Sequence, residues 1–191
     1  IAIGEVLAAA GLRAFEVTVD SDQAGETLKS LRKALGDRVL LGLGTVKTEA
    51  ELEIALSGRA DFVVSPVLVP NLAVKAHEIG LLAVIGAMTP TEVLSAYQGG
   101  ADLVKVFPAN VLGPAYFREL RGPLGFIPTL ATGGITPENF TEYLRAGAYA
   151  VGMGKSLVGE PSDWRKTLKT IPELVDRILN TLDKDVGLQH H

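Results

Sequence analysis

The 191-residue chain has no cysteine. That excludes a disulfide framework, a thiolate metal site, an iron–sulfur cluster and a thiol nucleophile. Histidine is scarce as well, with three in all. His190 and His191 fall in a terminal LQHH that reads as a truncated purification tag, and His77, alone on a predicted helix, reads as a surface residue. Histidine-based metal chemistry is therefore not expected. No apolar run approaches the roughly 20 residues that a membrane-spanning helix needs. A net charge of −4 supplies no basic field for a nucleic-acid backbone. The chain opens at Ile1 without a charged-then-apolar leader. The expectation is one soluble, cytoplasmic domain with no nucleic-acid or membrane partner.

What the chain does have is apolar residues (47%), 21 glycines and ten prolines. A pattern recurs: a polar helical stretch, a Gly-containing corner, then an apolar, β-rich run. It is seen at 10–19, 57–67, 79–88, 99–108 and 146–154, with two further strand-like runs at 38–46 and 126–134. Between them, Ala24–Leu35, Thr48–Leu56 and Pro137–Arg145 have helical spacing, and Thr89-Pro90 and Thr136-Pro137 read as cap-plus-proline helix starts. Seven strand–helix units predict a (β/α)8 TIM barrel. Residues 1–10 read as a helix, so the first strand of such a barrel is expected upstream of Ile1. Residues 160–187 form a C-terminal helical segment with a stripe of Trp164, Leu168, Ile171, Leu174, Ile178 and Leu182, and 188–191 form the tag remnant.

Strands covered on both faces should be apolar inside. Only two charges fall inside the seven strands read from these runs, Glu16 in AFEVTV and Lys105 in LVKVFP. Alternation puts Lys105 on a face with Leu103 and Phe107, and Glu16 on a face with Ala14 and Thr18. The bulkier set in each strand suits the helix layer, which leaves both charges pointing into the barrel. A purely structural ion pair is one reading, but desolvating two charges is costly. The other is that an amine kept from water favours its neutral form, which attacks a carbonyl while a carboxylate moves protons. That is Schiff-base chemistry. A second group, Thr132-Gly133-Gly134 followed by the Gly-rich turn at Lys155-Ser156, lies where barrels bind phosphate, with Lys155 adding a charge.

These residues resemble the class I aldolases that cleave 2-keto-3-deoxy-6-phosphogluconate and 4-hydroxy-2-oxoglutarate. The motifs EVTV, GLGTV, VVSPV, KVFPAN and TGGIT occur in the family's order from Gly11 to Leu157. The resemblance implies Lys105 as the Schiff-base lysine and Glu16 as the general acid/base. It implies Thr45 and Pro66 at the pyruvate end, Phe107 beside the lysine, and Thr132, Gly133 and Gly134 at the phosphate or carboxylate end. It also implies a homotrimer with a small keto-acid substrate and no metal or cofactor. Three positions depart from the pattern. Asp20 stands where the family has an anion-gripping Arg, Lys155 where it has a Ser, and Ala131 where it has a Pro. The expected activity is cleavage of a 2-keto-3-deoxy-6-phospho sugar acid to pyruvate and glyceraldehyde 3-phosphate. The alternatives are a 4-hydroxy-2-oxoglutarate (or other unphosphorylated keto-acid) aldolase and a catalytically silent barrel that binds a phosphorylated metabolite.

Overall fold

A computed structural model describes residues 1–185. Seven strands run in parallel and pair strictly in chain order: β1 (Ala14–Thr18), β2 (Leu40–Gly44), β3 (Phe62–Val64), β4 (Leu82–Ala87), β5 (Leu103–Val106), β6 (Thr129–Thr132) and β7 (Ala150–Gly152). The helices are α1 (Ala2–Ala9), α2 (Ala24–Leu35), α3 (Ala50–Ser57), α4 (Leu72–Glu78), α5 (Pro90–Gln98), α6 (Ala109–Leu124), α7 (Phe140–Arg145), α8 (Lys155–Val158) and α9 (Trp164–Asp185). Strands four places apart in a flat sheet lie about 19 Å from each other. Yet the charge of Lys105 on β5 acts on Glu16 of β1, so the sheet is curled around a shared lumen.

Among the described residues β1 and β7 do not pair with each other: the seven strands expected within this chain form a curled, open sheet, and no eighth strand closes it among the described residues. This changes the surroundings of Glu16. On an edge strand, alternate residues 14, 16 and 18 are exposed, not buried. In the inner strands the expected division of faces is found. Leu41, Leu43, Val63, Ile85, Val104 and Val106 point outward to the helices and are almost fully buried. The opposite face carries Gly42, Gly44, Gly86 and Lys105, matched in register across neighbouring strands.

Local signals explain most element ends. Thr89 accepts from the Glu92 N–H while Glu92 reaches back, a complete capping box at the start of α5. Thr136-Pro137 does not start a helix. Asn139 Oδ1 accepts from the Thr136 N–H at 2.8 Å and its Nδ2 donates to the Gly134 carbonyl at 3.0 Å. Those bonds hold 134–139 as a turn, and α7 begins at Phe140. The terminal helix buries Ile171, Val175 and Ile178. Of the expected stripe, Leu168, Leu174 and Leu182 are half-buried, and Trp164 is exposed beside Arg165. No helix among the described residues is long and apolar enough to cross a membrane. The tag remnant expected at 188–191 lies outside the described residues.

One buried charge ties the N-terminal ends of the strands. Arg32 on α2 donates to the carbonyls of Gly36, Val39 and Arg59 and pairs with Asp61. Breaking a buried pair by removing one partner costs about 3–5 kcal/mol. Arg32→Ala is expected to lower the unfolding free energy by about 3 kcal/mol in urea titrations. Because it acts at the strand ends remote from the turns after β5 and β6, kcat at 25 °C should stay within about twofold.

Candidate active site

Lys105 lies within β5 with 8% of its surface accessible, and its Nζ is 5.3 Å from the centroid of the Phe107 ring. On one side its register partner is Gly86. A Cβ there would collide with the Pro66–Val67 peptide, so that peptide lies directly over β4 next to the lysine. Ser65 holds it there. This fully buried hydroxyl accepts from the Gly86 N–H at 3.0 Å and donates to the Val67 carbonyl at 2.9 Å. Thus Pro66 and Phe107, both implied by the resemblance, flank the strand position of Lys105.

Glu16 reaches the lumen from β1. Its carboxylate is seated on Gly44, where a Cβ would be 2.7 Å from Cδ and 2.8 Å from each carboxylate oxygen. Burial of the carboxylate raises its pKa above the usual carboxylate range, and the Lys105 ammonium partly opposes the rise. As a whole the residue is exposed along the β1 edge. A carboxyl poised upward and within electrostatic reach of a buried amine is suited to both taking and returning a proton.

Thr45 follows β2 with φ +64°. A β-branched residue in left-handed conformation stores about 1–3 kcal/mol of strain, and such strain gathers at functional sites. Gly133 and Gly134 take φ of +90° and +71°. The Phe107 ring lies against Gly133, and Asn110 lies against Gly134 while its N–H donates to the Gly133 carbonyl at 3.0 Å. The turn after β6 is therefore interlocked with the turn after β5. Thr132 Oγ1 is buried and has no hydrogen-bond partner among the described residues.

The two charged departures from the family pattern are both paired. Lys155 is exposed and paired with Glu160 at 2.9 Å, so its charge is shared. Its neighbour Ser156 donates to the Ile135 carbonyl at 2.6 Å. Asp20 pairs with Lys47 at 3.5 Å. His77, on α4 as expected, contacts Asp102 at 2.8 Å. Sequence reasoning does not reach Ser65, Gly44, Gly86, Asn110 or Asn139. Glycine inside a strand run was the available signal for two of them.

Two tests follow from this geometry. Ser65→Ala leaves the buried Gly86 N–H unpaired and should cost about 1–3 kcal/mol of stability in urea unfolding. For Glu16 the folded pKa lies above the unfolded one, so its proton is held more tightly in the native state. Its stabilising contribution is full below the unfolded pKa and is lost as pH rises through the folded pKa. Glu16→Gln should be slightly more stable than the parent near pH 7, and the gain should vanish near pH 4, in paired denaturation curves.

The family model of KDPG and KHG aldolases matches residues 1–170. The chain is 31% identical over 149 residues to a 2-dehydro-3-deoxy-6-phosphogalactonate aldolase of Escherichia coli, covering 78% of this chain and 73% of that one. A solved structure described as native KDPGal superposes with a TM-score of 0.88 at 26% identity, over 98% of this chain and 90% of the other. The KDPG aldolase of Legionella pneumophila, solved with pyruvate captured as a covalent carbinolamine, superposes with a TM-score of 0.83 at 26% identity, over 93% and 87% of the two chains. With its lumen lysine and carboxylate, the chain belongs to the KDPG and KHG aldolase family.

Proposed function

We propose that this Schiff-base aldolase cleaves a 2-keto-3-deoxy-6-phospho sugar acid to pyruvate and glyceraldehyde 3-phosphate, with Lys105 as nucleophile and Glu16 as acid/base. The observation that carries the reading is a buried lysine amine on β5 within electrostatic reach of a carboxylate that is seated on Gly44 at the other side of the lumen. Lys105 Nζ adds to the C2 ketone, and the carbinolamine loses water to give an iminium. Glu16 removes the C4 hydroxyl proton. The C3–C4 bonding electrons flow to the iminium nitrogen, leaving an enamine and releasing the aldehyde. Glu16 returns its proton to C3, and water hydrolyses the iminium to pyruvate and free Lys105. No external oxidant or reductant is needed.

The distal phosphate is assigned to Thr132, Gly133 and Gly134. Glycine at positive φ lets backbone N–H groups face an anion, and the unpaired Thr132 hydroxyl adds a donor. Thr45 and Pro66 border the pyruvate end, and Lys155 contributes charge once released from Glu160. The unphosphorylated keto acid is the second reading, favoured by the pairing of both mouth lysines with carboxylates. In the full architecture an eighth strand would sit between β7 and β1 and close a (β/α)8 barrel, supported by the curl and the two free edges. Exposed Val67, Met88 and Phe107 follow β3, β4 and β5 at the site end, with exposed Val111 in the first turn of α6. They support assembly as a homotrimer, which sedimentation would register as three times the chain mass.

Borohydride with pyruvate should add a stable mass to Lys105, and Lys105→Ala should lose both the adduct and at least about 10⁴-fold in kcat. Full activity in Lys105→Ala would overturn the mechanism. A kcat/KM for the phosphorylated substrate at least about 100-fold above that for 4-hydroxy-2-oxoglutarate is expected. A difference of a few-fold would favour the second reading.

A further inference from the structure

We propose that Gly44 is a positioning residue for proton transfer: its bare α-carbon is the seat that turns the Glu16 carboxylate inward, toward Lys105. The inference rests on Glu16 as the acid/base of the proposed reaction and adds what holds it in place. Glycine inside a strand weakens the strand, so its presence there calls for a close approach or an unusual backbone. The backbone of Gly44 is ordinary, since it is not among the residues at positive φ. Close approach is what remains, and the three atoms nearest to where a Cβ would stand on Gly44 are Glu16 Cδ, Oε1 and Oε2, the whole acid group.

The neighbouring glycine shows that this is not simply a channel of small residues. Gly42 lies on the same face of β2, and its space is taken by the Phe62 ring reaching over from β3. The two glycines of β2 therefore receive opposite neighbours. Phe62 fills the lower space from one side and leaves no room there for the carboxylate. Glu16 fills the upper space from the other. Because β1 is an edge strand and Glu16 is exposed along it, the carboxylate has an easy alternative in water. A methyl group at position 44 would push it that way. The colliding atoms are the far end of a flexible side chain, so the side chain moves and the strand stays.

The test is Gly44→Ala, alone and combined with Glu16→Gln, with two readouts. The first is the titration of the ¹³C-labelled Glu16 carboxyl in the free protein. It should move toward the ordinary carboxylate range in Gly44→Ala, and an unmoved titration overturns the seat. The second is the exchange of pyruvate methyl protons with deuterated water, followed by NMR beside borohydride trapping. Exchange and kcat should each fall about 100-fold, with KM within a few-fold and the Lys105 adduct still formed. In the Glu16→Gln background Gly44→Ala should cause no further loss. A loss of equal size in that background would mean that Gly44 acts on something other than the carboxylate, and contradicts the proposal. Failure of the wild-type protein to form the adduct would count against Lys105 as nucleophile, while the carboxyl titration would still decide the seat.

Discussion

The amine of Lys105 sits where water hardly reaches, in the middle of a parallel strand whose other residues are apolar, and the surrounding structure is arranged to tolerate it. A charged ammonium in such a place needs an opposite charge, and a neutral amine needs to be kept from protonation by solvent. Glu16 faces it from four strands away, and the ammonium offsets part of what burial costs that carboxylate. Only a curled sheet allows this, because side chains four strands apart in a flat sheet could not interact at useful strength. The curl is therefore more than a feature of shape. It lets the two groups proposed as nucleophile and proton carrier face each other across a lumen.

Room for these two groups comes from missing side chains. Gly86 lies beside Lys105 and yields its space to the Pro66–Val67 peptide, which Ser65 clamps from below with a buried hydroxyl. Gly44 yields its space to the Glu16 carboxylate. On the far side, Gly133 and Gly134 interlock with Phe107 and Asn110, so the turn assigned to the anion is braced by the same segment that follows the lysine strand. Movement of one of these turns would be felt by the other. The strained Thr45 completes the rim at the end of β2.

Much of this was legible in the residues. Lys105 and Glu16 are the only charges inside the seven strands, and alternation assigns both to the lumen. The bounds of α2, Ala24–Leu35, follow from spacing alone. The failures have physical reasons. Exposure of Glu16 depends on β1 being an edge, which is a property of sheet closure and not of the strand's own pattern. Thr136-Pro137 has the chemistry of a helix start, but Asn139 captures the same backbone groups for a turn. Lys155 looks like a free anion-binding cation until the chain brings Glu160 against it. Ser65 gives no signal because its partner, Gly86, lies on another strand.

The departures at Asp20 and Lys155 touch the rim and leave the reacting pair intact. Each places a charge that a nearby residue of opposite sign compensates. In the proposed reaction, substrate choice and bond-breaking chemistry are thus carried by separate parts of the site. The most direct test is a crystal structure of the protein soaked with pyruvate. It should show unbroken electron density from Lys105 Nζ to C2 of the ligand, with the Glu16 carboxylate, still seated on Gly44, turned toward its C3. Pyruvate bound without a covalent link to Lys105, or with Glu16 swung out to solvent, would contradict the account.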